Sequence, residues 1–193
     1  MKKLLLTAAA ILATLNIYGQ GSGIVSFTSV GATPASGKQI MDQNNTAASG
    51  TAYRVALYWG AGSETDERNL IQAGASATFL TGASAGTYFG GGRTITTPGS
   101  TVNGPVLAFQ VRGWTAAHGA TYEEAAGNGA AFVGRNPIFT LKTKDPNVPL
   151  ETVPNLYLAT GYQGFRLTPV PEPSAIALGV LGVGTLLMLR RRK

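Results

Sequence analysis

The sequence predicts an all-β fold, a single β-sandwich set between two apolar ends. Three observations predict it. Short apolar runs are broken every few residues by Gly, Asn, Pro and Ser clusters, and the clearest of these runs alternate with a period of two. The composition is turn-rich, with 26 Gly in 193 residues and only 12% of residues charged, against about 7% and 25% in ordinary soluble domains. At 44% hydrophobic residues the chain has the material for a core, because a domain of about 150 residues buries roughly 70% of its unfolded surface.

Taken in order, Met1-Lys2-Lys3 followed by the apolar run Leu4 to Leu15 has the n-region and h-region of a secretory signal peptide, too short to span a bilayer comfortably. Gly19 is the small residue at the expected cut, so 1–19 is read as signal peptide and Gln20 as the new terminus. The first strand is expected over Gly23–Val30, followed by a polar loop over Gly31–Gly50. Tyr53–Trp59 follows, with Tyr53, Val55, Leu57 and Trp59 on one face and Arg54, Ala56 and Tyr58 on the other. Shorter strands are expected at Ala77–Leu80, Thr87–Phe89 and Arg93–Thr96, then a long one at Val106–Trp114, another at Ile138–Thr143 and a last at Tyr162–Thr168. Within Val106–Trp114 the alternation puts Phe109 and Val111 inward and Gln110 and Arg112 outward. Thr121-Tyr122-Glu123-Glu124 fits a capping box and predicts one or two helical turns before Gly127.

Charge is unevenly placed. The formal net charge is +6, yet Lys2, Lys3, Arg190, Arg191, Arg192 and Lys193 hold six of the fifteen cations, and residues 20–170 carry nine Lys/Arg against eight Asp/Glu. A near-neutral middle argues against nucleic acid as a partner. With no cysteine, disulfide scaffolds, thiol nucleophiles and Cys-ligated zinc are excluded.

The motifs that could bear chemistry lack the context that chemistry requires. Gly82-Ala83-Ser84-Ala85-Gly86 matches the G-x-S-x-G elbow, but His118 is the only histidine and no Asp or Glu lies between it and Ser84, so the acid-then-histidine order fails. Asp42-Gln43-Asn44-Asn45-Thr46 opens like a calcium loop, with Ala47 where Gly is required and Tyr53 where Glu is required. A looser calcium site using Asp42 stays open. Gly90-Gly91-Gly92-Arg93 lacks the Lys-Ser/Thr of a phosphate loop. Glu123 and Glu124, adjacent on a helix, do not face one site. Trp114, on the polar face of its strand, is the tentative ligand contact, and Trp59 reads as core. No catalytic, cofactor-binding or metal residues are assigned.

The C-terminus is more specific. Val170-Pro171-Glu172-Pro173-Ser174 precedes an uncharged apolar run from Ala175 to Leu189 and the basic tail Arg190-Arg191-Arg192-Lys193. Each proline fixes its own φ and biases its predecessor away from helix, giving an extended stretch that a processing enzyme can grip. The run reads as a transmembrane helix of marginal length whose basic tail stays cytoplasmic. Motif, order and position resemble the PEP-CTERM sorting signal of exopolysaccharide-producing Gram-negative bacteria, with Pro171, Glu172 and Pro173 on the namesake tripeptide. Trp114 through Glu123 to Ile138-Phe139-Thr140-Leu141 also resembles the ectodomain found beside such tails. The resemblance implies an exported, non-catalytic cell-surface or extracellular-matrix protein. Its regions would be 1–19 signal peptide, 20–169 β-sandwich ectodomain and 170–193 sorting segment, carried across the inner membrane and handled by an exosortase-type membrane protease. The alternative is a carbohydrate-binding module of an exopolysaccharide matrix, which expects an exposed aromatic row.

Overall fold

A computed structural model describes residues 20–98 and 100–171. The proposed signal peptide, Glu172, Pro173, Ser174, the apolar run and Arg190–Lys193 lie outside them. Nine strands and one α-helix form among the described residues: β1 (Gln20–Thr28), β2 (Tyr53–Ala61), β3 (Ile71–Gln72), β4 (Ala77–Thr78), β5 (Phe89–Pro98), β6 (Val106–Thr115), α1 (Tyr122–Ala126), β7 (Phe132–Arg135), β8 (Phe139–Lys142) and β9 (Thr168–Pro169).

The two strands with the strongest period-two signal make the spine. β2 and β6 pair antiparallel from Tyr53↔Thr115 to Ala61↔Leu107 without a bulge. Each then takes two short strands on its outer edge, β3 and β4 on β2, and β7 and β8 on β6, with β9 beyond β7. β1 and β5 form a separate two-stranded ribbon. Val25, Phe27 and Ile95 of the ribbon pack with Val55 and Leu57 of β2 and Leu107, Phe109 and Val111 of β6 in the main core. Gly23 permits the approach, since a Cβ there would sit 1.9 Å from the Thr143 hydroxyl, and within the ribbon Gly90 makes room for the Phe27 ring, which a Cβ would meet at 2.1 Å.

Several expectations are corrected. Among the described residues the architecture is not a sandwich flanked by a transmembrane helix. Seven strands join one sheet because the long β2 and β6 each recruit two short partners, which leaves only a two-stranded ribbon to face them. No helix among the described residues is long and apolar enough to cross a membrane. Gln110 and Arg112, expected to face outward, are buried, because α1 and the loop before β3 cover that face as a third layer. Thr87–Phe89 and Arg93–Thr96 are not two strands, since β5 runs continuously over Phe89–Pro98. Tyr162–Thr168 forms no strand until Thr168; the chain there is an irregular strap held at Gly164, whose N–H donates to the Gly37 carbonyl (2.9 Å). β3 and β7 are additions. The capping box forms, with Glu124 N–H donating to the Thr121 hydroxyl (3.2 Å) and the Glu124 carboxylate accepting from Thr121 N–H.

Candidate functional site

The second face of the large sheet carries the densest polar chemistry. Arg112 on β6 and Arg135 on β7 are direct cross-strand partners, an arrangement that like charges disfavour. The fold answers with a carboxylate for each. Glu123 of α1 pairs with Arg112 at 3.0 Å, and Glu67, in the loop before β3, pairs with Arg135 at 2.6 Å. Arg112 is buried, its guanidinium 4.0 Å from the Tyr58 ring centre and 5.3 Å from that of Tyr122. Each of its nitrogens donates to protein: Nε to Gln110 Oε1 (2.8 Å), Nη1 to Glu123 and Nη2 to the Glu67 carbonyl (2.5 Å). Arg135 Nη1 also donates to the Tyr122 hydroxyl (3.2 Å).

Above this cluster lies an open cleft of about 540 Å³ lined by Tyr58, Glu67, Arg68, Leu70, Gln72, Arg112, Glu123 and Arg135. Burial, reinforced by the hydrogen bond to Glu123 (2.8 Å) and by its negative charge, raises the Tyr58 phenol above its ordinary pKa. That phenol is a hydrogen-bond donor, not a proton shuttle, at neutral pH. The buried charge is thus committed to protein partners, and its evident work is to fasten α1 and the Glu67 loop to the sheet.

The residues singled out in the sequence do not converge. Ser84 is exposed in a 3-10 turn (Gly82–Ser84), without the strand-turn-helix elbow that the motif requires. The His118 Nδ1 is 2.9 Å from the Thr115 hydroxyl. Glu124 is spent on the cap, whereas Glu123 turns to Arg112 and Tyr58. The Asp42 carboxylate closes its own turn, accepting from Asn44 N–H, Thr46 N–H and the Thr46 hydroxyl at 2.8–2.9 Å. Burial pulls its pKa upward, but those hydrogen bonds outweigh burial and leave it below the ordinary value.

Trp114 requires a correction. It is fully buried, T-stacked on Tyr122 at 6.4 Å, and its indole N–H donates to the Gly119 carbonyl (3.0 Å). It offers no face to a ligand. Trp59 is half-buried against the main core.

The Pro-Glu-Pro tripeptide begins directly after the last docked residue among those described. Thr168 and Pro169 pair with Val133 and Phe132, Val170 N–H donates to the Ala131 carbonyl (3.0 Å), and Val170 packs against the α1 face. Val170, the first residue of the stretch expected to be open to a processing enzyme, is therefore docked, while Pro171 is exposed. The Arg112 and Arg135 cluster was missed in the sequence. Its one visible sign was the polar pair Gln110 and Arg112 within the otherwise apolar strand Val106–Trp114. Compared with family models, curated proteins and solved structures, this chain matches none.

Proposed function

We propose that this chain is an exported, non-catalytic cell-surface or extracellular-matrix protein, sorted through a C-terminal Pro-Glu-Pro signal by an exosortase-type membrane protease. The observation that carries the reading is the junction between fold and motif. Among the described residues the last docked one is Val170, and the next, Pro171, opens the tripeptide, so the motif follows directly on a docked residue. Ser84, exposed in its 3-10 turn, and His118, beside the Thr115 hydroxyl, share no hydrogen bond, which favours a non-catalytic role.

The carbohydrate-binding alternative draws less support. It needs solvent-facing rings, and among the described residues Phe89 is the one aromatic in the set of exposed large apolar side chains. A glycan array probed with the ectodomain separates the two, with strong selective binding favouring the alternative.

The test of the main reading is replacement of Pro171, Glu172 and Pro173 together by Ala in the native host. Processing and sorting should be lost while the domain still folds. A variant matured like wild type would refute the assignment of this tripeptide as the signal.

A further inference from the structure

We propose that the strap Phe165–Val170 is a folding-dependent gate on processing: once docked, it keeps the chain up to Val170 out of a protease's reach and confines processing to Pro171 onward. This inference rests on the processing read above. A protease takes its substrate as an extended, unpaired segment, so residues whose backbone is already hydrogen-bonded into a sheet must first be released.

The strap is held along its whole length. Met41 N–H donates to the Phe165 carbonyl (2.8 Å) and Leu167 N–H to the Met41 carbonyl (2.9 Å). Leu167 is fully buried. The Thr168 hydroxyl donates to the Val133 carbonyl (3.3 Å), and the Val170 amide closes the series on Ala131.

Its seat is specific. Gly113 of β6 and Gly134 of β7 are cross-strand partners, and the pair leaves a gap in the side-chain surface that the strap fills. A Cβ on Gly113 would lie 3.2 Å from the Phe165 ring, and one on Gly134 would lie 2.6 Å from the Arg166 carbonyl oxygen and 2.8 Å from that ring. Neither glycine has a positive φ, so close approach of the strap, not backbone conformation, is what these positions require. Before the strap docks, the unpaired segment ahead of the motif extends upstream beyond Val170, and a misfolded domain presents a longer substrate than a finished one.

Trypsin acting on the purified full-length chain tests the gate, because Arg166 has an exposed side chain on a docked backbone. In wild type the Arg166–Leu167 bond should survive after the exposed Arg68–Asn69 bond is cut. In Gly134→Ala, which displaces the strap and leaves the β2 and β6 spine intact, cleavage after Arg166 should appear early with the far-UV spectrum retained. Amide exchange on wild type gives a readout free of substitution: Leu167 and Val170 should be slowed on the order of 100-fold relative to free chain. Early cleavage at Arg166 in wild type, unprotected Leu167 and Val170 amides, or an unchanged cleavage pattern in Gly134→Ala would each overturn the gate while leaving the processing reading untouched. In the native host, the mature C-terminus of wild type should fall at or beyond Pro171. A host that never shortens the tail refutes the processing reading, and the gate falls with it even if the trypsin and exchange results hold.

Discussion

Replacing Arg112 by alanine removes a cation together with donors to three separate parts of the chain. Gln110, which is buried, and the half-buried Glu67 carbonyl would be left without their partner. The cost of breaking such a buried, hydrogen-bonded charge is about 3 kcal/mol. Glu123→Gln touches the same ion pair from its exposed side and should cost less than about 1 kcal/mol, since solvent already screens that carboxylate. Chemical denaturation of the two variants checks the asymmetry; equal losses would mean that the ion pair, not the anchoring of the loop and helix, is what matters. The cluster was poorly legible in the sequence for a physical reason. Period-two alternation tells which residues share a face but not what covers that face, so Gln110 and Arg112 read as solvent-facing when distant segments in fact bury them. Trp114 failed the same way: its polar strand neighbours suggested exposure, and the ring is instead enclosed by Tyr122 and the turn at Gly119.

At the scale of elements, β7 and β8 are two halves of one edge interrupted at Asn136-Pro137. Pro137 has no N–H to donate to a ladder, and Asn136 fills the gap with its side chain. Its Oδ1 accepts from Val111 N–H (2.7 Å), its own N–H donates to the Val111 carbonyl (3.1 Å), and its carbonyl accepts from the Gln110 side chain (2.9 Å). Asn136→Ala strands the buried Val111 N–H and should destabilise the protein by about 2 kcal/mol, measurable as a shift in the denaturant midpoint; a loss within experimental error would show that water replaces the side chain there. The capping box is a smaller device. Thr121→Ala should cost about 1 kcal/mol, read by the same measurement, and a neutral result would mean that α1 is held by Tyr122 and Ala125 packing alone. Elements with a local cause, such as β2, β6 and the capped helix, were legible because alternation and capping are written in adjacent residues. β3, β7 and β9 were not, since two to four residues carry too little pattern and become strands only because a long neighbour offers an open edge. The strap over Tyr162–Thr168 has apolar residues in strand-like order, but docking against the 37–43 segment takes precedence over sheet pairing for most of its length.

For the whole molecule, with no cysteine to cross-link it, the joining of ribbon, sheet and strap depends on the shared core, and two tyrosines at its centre expose that dependence to pH. Tyr88 precedes β5 and Tyr162 opens the irregular segment that leads to β9; their hydroxyls are 3.3 Å apart, and Tyr88 N–H donates to the Ser29 hydroxyl (3.1 Å). Burial raises both phenols, Tyr162 to about 12 and Tyr88 well above its ordinary value. The protonated phenol is the form that the fold favours. Below about pH 10, the value expected in the unfolded chain, both states bind the same protons and these groups add no pH dependence. Above it the unfolded chain releases its protons first, so stability falls with rising pH until the folded-state value is passed. Over the interval from about 10 to about 12, Tyr162 alone accounts for a loss on the order of 2 kcal/mol. The denaturant midpoint of the protein should therefore be insensitive to these two groups up to about pH 10 and then drop steeply. Tyr162→Phe should reduce that drop, leaving the part due to Tyr88, at a neutral-pH cost of about 1 kcal/mol, because Phe keeps the ring contact with Phe139 (5.7 Å) but leaves the buried Tyr88 hydroxyl without its partner. A wild-type midpoint that does not move between pH 10 and 12, or a Tyr162→Phe variant with the wild-type slope, would mean that the hydroxyl pair is open to water and that the strap side of the core is not closed.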